Sequence, residues 1–179
     1  MIVERLERPL RSVVDLQALA QHARAVDDDG YFLPELQRFA DAAVREAEDL
    51  AQIALLSQAV RVTLEGWPRT HALPLPIGPL LDWDSVTVTA DGQPFEDFTT
   101  MTGTRPELRF TGQRPCGRIV IEYVAGYGET AEAIPEDLRL AVMDQAACYF
   151  DARGAVDLKT QALSPHFARI IGRQRGVRL

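Results

Sequence analysis

The segment Gly117–Val124 constrains this fold more than any other. Ile119, Ile121 and Tyr123 fall on one face of an alternating pattern, and Val120 and Val124 on the other. A strand apolar on nearly both sides belongs inside a sheet, with neighbours along both edges. The chain then turns through Gly126-Tyr127-Gly128 and changes period. Pro135 suits a first helical turn, Glu136 and Asp137 favour the positive helix start, and Gly154 can end it. Leu138, Ala141, Val142, Gln145, Tyr149 and Phe150 supply a helical stripe across 135–153.

A central strand needs partners, and the preceding sequence offers them. Val60, Val62 and Leu64 alternate with Arg61, Thr63 and Glu65, which predicts a half-buried strand over Ala59–Glu65. Ser85–Thr89 alternates through Val86 and Val88 and runs into the turn dipeptide Asp91-Gly92. Phe95–Thr100 and Leu108–Phe110 are further strands, whereas Trp67–Pro79, with four prolines, reads as an extended connection. Upstream, Ser12 and Asp15 have the spacing of a capped helix start, followed by a short helix over 13–25. The loop Asp27-Asp28-Asp29-Gly30 ends it. From Pro34 a second helix carries Leu36, Phe39, Ala43, Ala47, Leu50 and Ala54 at three- and four-residue steps.

Helices, then strands, then a helix make an α+β protein. The expected architecture is a helical bundle, two N-terminal helices plus a C-terminal one, with an inserted small antiparallel β subdomain. Residues 1–57 and 132–154 form the helical part, 58–131 the β part, and 155–179 a separate basic segment. There Ser164-Pro165 caps a short piece in which Phe167, Ile170 and Ile171 share a face. With 46% hydrophobic residues in 179, the chain can build a core. No run approaches the ~18 apolar residues of a membrane span, and the N-terminus lacks a signal peptide's apolar region. Folding in the cytoplasm is expected, with Cys116 and Cys148 as packed free thiols.

The net charge of −7 argues against a general nucleic-acid binder, since phosphate binding requires surplus cations. The charge is uneven, however. Arg153, Lys159, Arg169, Arg173, Arg175 and Arg178 face a single acid, Asp157, in the last 27 residues. An acidic body with a basic tail implies two surfaces with different partners.

Motifs for chemistry are absent. His22, His71 and His166 lie in separate elements, none spaced to share a metal, and no GxSxG occurs. Counting from Asp27, the position where a calcium loop needs glutamate is Arg38. Gly126-Tyr127-Gly128 lacks the third glycine of a dinucleotide loop, Ala131 standing there, and Glu129 and Glu132 would repel phosphate. No enzyme, cofactor or metal is expected. For the tail, three readings stand: a solvated end, a docking segment with Phe167, Ile170 and Ile171 as anchors and arginines meeting acids, or nonspecific DNA contact.

Several segments resemble the head–tail connector (adaptor) proteins of tailed phages. Leu75-Pro76-Ile77-Gly78-Pro79-Leu80, then Ser85-Val86-Thr87-Val88 and Asp91-Gly92, look like that family's proline-flanked entry, strand and turn. Arg118–Gly128 is similar to its strand ending in Y-x-A-G-Y, and Ile134-Pro135-x-x-Leu138-Arg139-x-Ala141 through Tyr149-Phe150-x-x-Arg153 to the helix after it. The match spans most of 12–153; the family's mid-helix cation is missing from Gln17–Gln21, and the segment from Asp157 onward is not matched residue by residue.

The resemblance implies a virion structural protein of the phage neck, assembled in the bacterial cytoplasm. It implies a ring, typically of twelve copies, that binds the portal, extends the DNA channel without gripping DNA, and offers a platform to a stopper or tail terminator. Gene transfer agents carry the same architecture. Portal docking is expected at Phe167, Arg169, Ile170, Ile171, Arg173, Arg175 and Arg178, and removal of 160–179 should leave the fold intact. Alternatives are another neck or tail-completion protein, or a nucleic-acid-binding module using the basic tail.

Overall fold

A computed structural model of the chain describes residues 1–6, 12–25, 31–67, 70–153 and 163–175. The protein is α+β and divides into two compact units. The first comprises Met1–Leu10 and Leu56–Glu129 and holds the strands. The second comprises Arg11–Leu55 and Thr130–Leu179 and holds the helices, so the β region is inserted into a helical framework. No helix among the described residues is long and apolar enough to cross a membrane.

Two antiparallel sheets build the β unit. The larger has the order β1 (Ile2–Arg5), β2 (Gln58–Leu64), β8 (Ile119–Ala125), β4 (Thr87–Ala90), β5 (Gln93–Pro94). The smaller has the order β3 (Ala72–Pro74), β7 (Glu107–Phe110), β6 (Phe98–Met101). β8 is central, paired with β2 from Gln58↔Ala125 to Leu64↔Ile119 and with β4 from Thr87↔Glu122 to Ala90↔Ile119. Its faces are unequal. Ile119, Ile121, Tyr123 and Ala125 are buried, while Val120 and Glu122 are half-buried and Val124 is exposed. Backbone pairing on both edges, rather than burial of both faces, makes it central.

The N-terminal strand β1 corrects the expected domain division. Ile2–Arg5 pairs with Thr63–Val60 in the large sheet, so the first residues belong with the strands and not with the helices. The alternation Ile-Val-Glu-Arg is too short to distinguish from a loop in sequence, and only the exposed edge of β2 recruits it. The Trp67–Pro79 connection likewise contains β3, and its Leu73, Leu75 and Ile77 are buried. Cys116 is exposed, contrary to the packed thiol expected for it; Cys148 is half-buried, and both are free.

Two turns fix the sheet. Asp91 and Gly92 both have positive φ, 49° and 80°, the primed turn that matches the twist of the β4–β5 hairpin. Asp91 also reaches back to the start of β8, where its Oδ1 accepts from the Arg118 N–H at 2.8 Å. At the other end of β8, the Gly126 N–H donates to Pro79 O at 2.9 Å, and the Ser57 N–H donates to Gly128 O at 2.8 Å. A Cβ on Gly126 would stand 2.5 Å from Ser57 N and 2.6 Å from Leu56 O. The glycine is demanded by backbone approach as well as by its φ of 142°. Gly126-Tyr127-Gly128 is thus a packing turn. In the core beside it, the Tyr123 hydroxyl donates to Ile77 O (3.0 Å) and accepts from the Ile77 N–H (3.1 Å). Burial raises its pKa far above the usual tyrosine value.

The helical unit contains α1 (Leu16–His22), α2 (Leu33–Ala51), α3 (Glu136–Ala152) and α4 (Pro165–Gln174). α1 is shorter than the predicted 13–25, because its cap is Asp15, whose Oδ1 accepts from the Gln17 N–H at 3.0 Å. The Ser12 hydroxyl instead donates to Val14 O at 2.6 Å. The acidic loop Asp27–Asp29 lies outside the described residues. On α2 the buried stripe is Leu36, Ala40, Ala43, Ala47 and Ala51. Small side chains there let α3 approach closely, and α1 and α4 also pack against this pair. Glu48 is buried at the helix end, and its Oε1 accepts from the Leu55 N–H at 2.9 Å, satisfying a buried amide in the segment after the helix.

Gly126→Ala is expected to destabilise the β unit by about 2–4 kcal/mol, through positive-φ strain plus backbone collision. Denaturant unfolding would show a lower midpoint with an unchanged slope. An unchanged midpoint would contradict the close approach.

Candidate docking site

The basic C-terminal helix α4 carries most of the residues expected to dock, and the structure separates them into two sets. Ser164 caps the helix, its Oγ accepting from the Phe167 N–H at 3.5 Å. Phe167, Ile170 and Ile171 are 0%, 3% and 2% exposed, facing the rest of their own unit. Their burial places the apolar face of α4 against its own unit. Removing 160–179 would strip three core residues from the helical unit, so a loss of stability is expected on that deletion. The solvent face of α4 is basic. Arg169 and Arg173, four residues apart and on one face, are exposed. Arg175 is exposed too, but its Nε–H donates to Leu50 O at 2.9 Å, closing the end of α2. Arg178, Lys159 and Asp157 lie outside the described residues.

Besides this apolar packing, α4 is tied to its neighbours by a polar clasp that sequence spacing does not reveal. Asp144 on α3 accepts from two histidines: His22 Nε2 on its Oδ1 at 2.7 Å and His166 Nδ1 on its Oδ2 at 2.5 Å. One carboxylate thereby joins α1, α3 and α4. The imidazoles take opposite oxygens, and among the described residues no three such side chains could hold a metal ion. One residue on from Asp144, the buried Gln145 Oε1 accepts from the Ser164 N–H at 2.8 Å. The Cys148 thiol is shifted up by burial and then by Asp151 and Asp144, which disfavours the thiolate. His22 and His166 are 144 positions apart in the chain, so no local pattern could pair them.

At the C-terminal end of α3 the Tyr149-Phe150-x-x-Arg153 motif acquires a physical role. The Phe150 ring meets Phe32 edge-on at 5.6 Å and Phe39 at 6.3 Å. The Arg153 guanidinium lies over Phe150 at 3.6 Å, and its Nε stands 3.8 Å from Glu35 on α2. The Tyr149 hydroxyl donates to Glu46, also on α2, and its pKa is pushed up to about 12, chiefly by burial. These contacts fasten α2 to α3 with one aromatic cluster and a stacked cation.

Two outcomes follow for this unit. Asp144→Ala should release α4 locally, at a cost of about 1–3 kcal/mol, seen as faster amide exchange in 165–174. Unchanged exchange there would mean that apolar packing alone holds the helix. With a disulfide reagent at neutral pH, Cys116 should react well ahead of Cys148 in the folded chain, and the two should converge on denaturation.

Neither a family model nor a curated protein matches the chain. Solved structures do. A chain from the neck of an empty GTA particle, computed with C6 symmetry, is 25% identical, with a TM-score of 0.82 over 100% of this chain and 97% of that one. A chain of the virion of a native gene transfer agent particle is 23% identical with a TM-score of 0.82, again over 100% and 97%. A chain from the neck of a native GTA particle, computed with C12 symmetry, is 23% identical with a TM-score of 0.78 at the same coverage. The entire chain therefore shares its fold with chains found in those particles.

Proposed function

We propose that this chain is a structural, non-enzymatic component of the neck of a phage-like particle, and within it the head–tail connector subunit. The observation that carries the reading is the full-length likeness, TM-score 0.82 over all of this chain, to a chain of a GTA particle neck. Necks of those particles have been computed with C6 and C12 symmetry, which favours a ring over a two-fold dimer. The connector segments quoted from the sequence add order: the strand β8, the turn after it and the helix α3 follow one another as that family's do.

In this reading the subunits close into a ring of twelve beneath the portal and extend the channel through which DNA passes. The acidic body is suited to passing DNA without gripping it. The basic segment docks on the portal. With Phe167, Ile170 and Ile171 enclosed, that contact rests on Arg169, Arg173, Arg175 and Arg178, and is electrostatic in character. The β unit offers the platform for the stopper or tail terminator. An electrostatic contact of this kind acts mainly on association and weakens with salt.

The test is to mix the purified chain with portal-bearing heads and image them. A ring of added density under the portal is expected, with Arg169→Glu/Arg173→Glu attaching at least about tenfold less well at low salt. Heads that gain no ring from the wild-type chain would refute the connector assignment. Equal attachment of the double variant would refute the arginine contact alone.

A further inference from the structure

One surface of the β unit is explained neither by folding nor by the basic helix. The short 3-10 turn Trp83–Ser85 presents Trp83 at 63% exposure, with Leu81 at 61% two residues before it. Beside the turn stands Val124 of β8, 43% exposed, whose N–H donates to Ser85 Oγ at 3.4 Å. The turn is held firmly. Asp82 Oδ1 accepts from the Asp84 N–H at 2.9 Å, and the Ser85 hydroxyl donates to Asp82 O at 2.7 Å. Trp83 therefore projects from a fixed element. The chain's other tryptophan shows what folding does with an indole it uses: Trp67 packs on Phe110 at 3.7 Å and donates its N–H to Thr70 O at 3.0 Å.

Trp83 borders a groove of about 590 Å³ that runs to the β6 strand. Val86 and Phe98 give it an apolar lining, and Asp84 and Glu96 line it as well. Both carboxylates are exposed. None of the ion pairs among the described residues involves them. An exposed indole, a neighbouring apolar floor and two carboxylates without a cation form a recognisable complement. A guanidinium can stack on the indole and donate to the carboxylates at once, while an adjacent aliphatic side chain fills the groove. Nucleic acid is disfavoured there, since its phosphates would meet two like charges.

We propose that this groove is a docking site for a protein segment presenting an arginine beside an aliphatic side chain, contributed by the neck component that follows the connector. The inference rests on the connector reading above and gives its platform a location and a chemistry. Trp83 is the anchor, and Asp84 and Glu96 select the cation.

The test uses the full ¹⁵N-labelled chain and two probe peptides, acetyl-Ala-Leu-Arg-Leu-Ala-amide and its Gln counterpart, with the Trp67 indole as internal control. The Arg peptide should move the Trp83 indole N–H resonance, leave that of Trp67 in place, and bind at least about fivefold better than the Gln peptide. Trp83→Ala should abolish binding, and Asp84→Asn/Glu96→Gln should erase the preference. Equal binding of the two peptides, or none, overturns the proposal. So does a Trp83 shift on raising protein concentration alone, which would make a second copy of the chain the occupant. In particles, Trp83→Ala rings that still acquire tails overturn the site but not the connector reading. Absence of the wild-type chain from the neck overturns the connector reading itself.

Discussion

The β unit depends on the pinning of β8 at both of its ends. At its start the Asp91 carboxylate holds the Arg118 amide. At its finish Gly126 lets the backbone pass against Leu56–Ser57 and donate to Pro79 O. Between these points the strand pairs with β2 along its whole length and with β4 over Ile119–Glu122, so the residues of its buried face have fixed heights in the core. A one-residue slip would turn Ile119, Ile121 and Tyr123 outward. The hydroxyl of Tyr123 adds a second check, because it can satisfy both polar groups of Ile77 in only one register.

The helical unit is organised on a different principle. Its alanine stripe on α2 sets the spacing of helices but specifies little about their identity, since small apolar faces fit many partners. Polar contacts supply the specificity. The Asp144 carboxylate can satisfy two imidazoles only when α1 and α4 are both in place, and Arg153 can cover Phe150 while near Glu35 only when α2 and α3 are aligned. An exposed pair such as Arg153 and Glu35 contributes little stability. The further value of these polar contacts is in selecting one arrangement among several that apolar packing alone would permit.

This division of labour alters the view of the C-terminal helix. Its amphipathic pattern suggested an adhesive segment reaching outward. The apolar half is instead part of the unit's own core, and the arginine half remains on the surface. A short helix is marginal alone and needs a surface to fold against; here the chain itself provides that surface.

Period and punctuation in the sequence already specified the elements: the strand over Gly117–Val124, the helix after Pro135, the stripe from Leu36 and the turn at Asp91-Gly92. These are local consequences of side-chain alternation, proline geometry and glycine freedom, so they can be read without a fold. Tertiary structure alone decided the rest. β1 and β3 are too short to carry a pattern and exist because a sheet edge accepts them. The Asp144 clasp joins residues far apart in the chain, and the burial of Phe167, Ile170 and Ile171 depends on α2 and α3 being there to receive them. The exposure of Trp83 is also invisible in sequence, because an indole's surroundings are set by the chain that folds, or does not fold, over it.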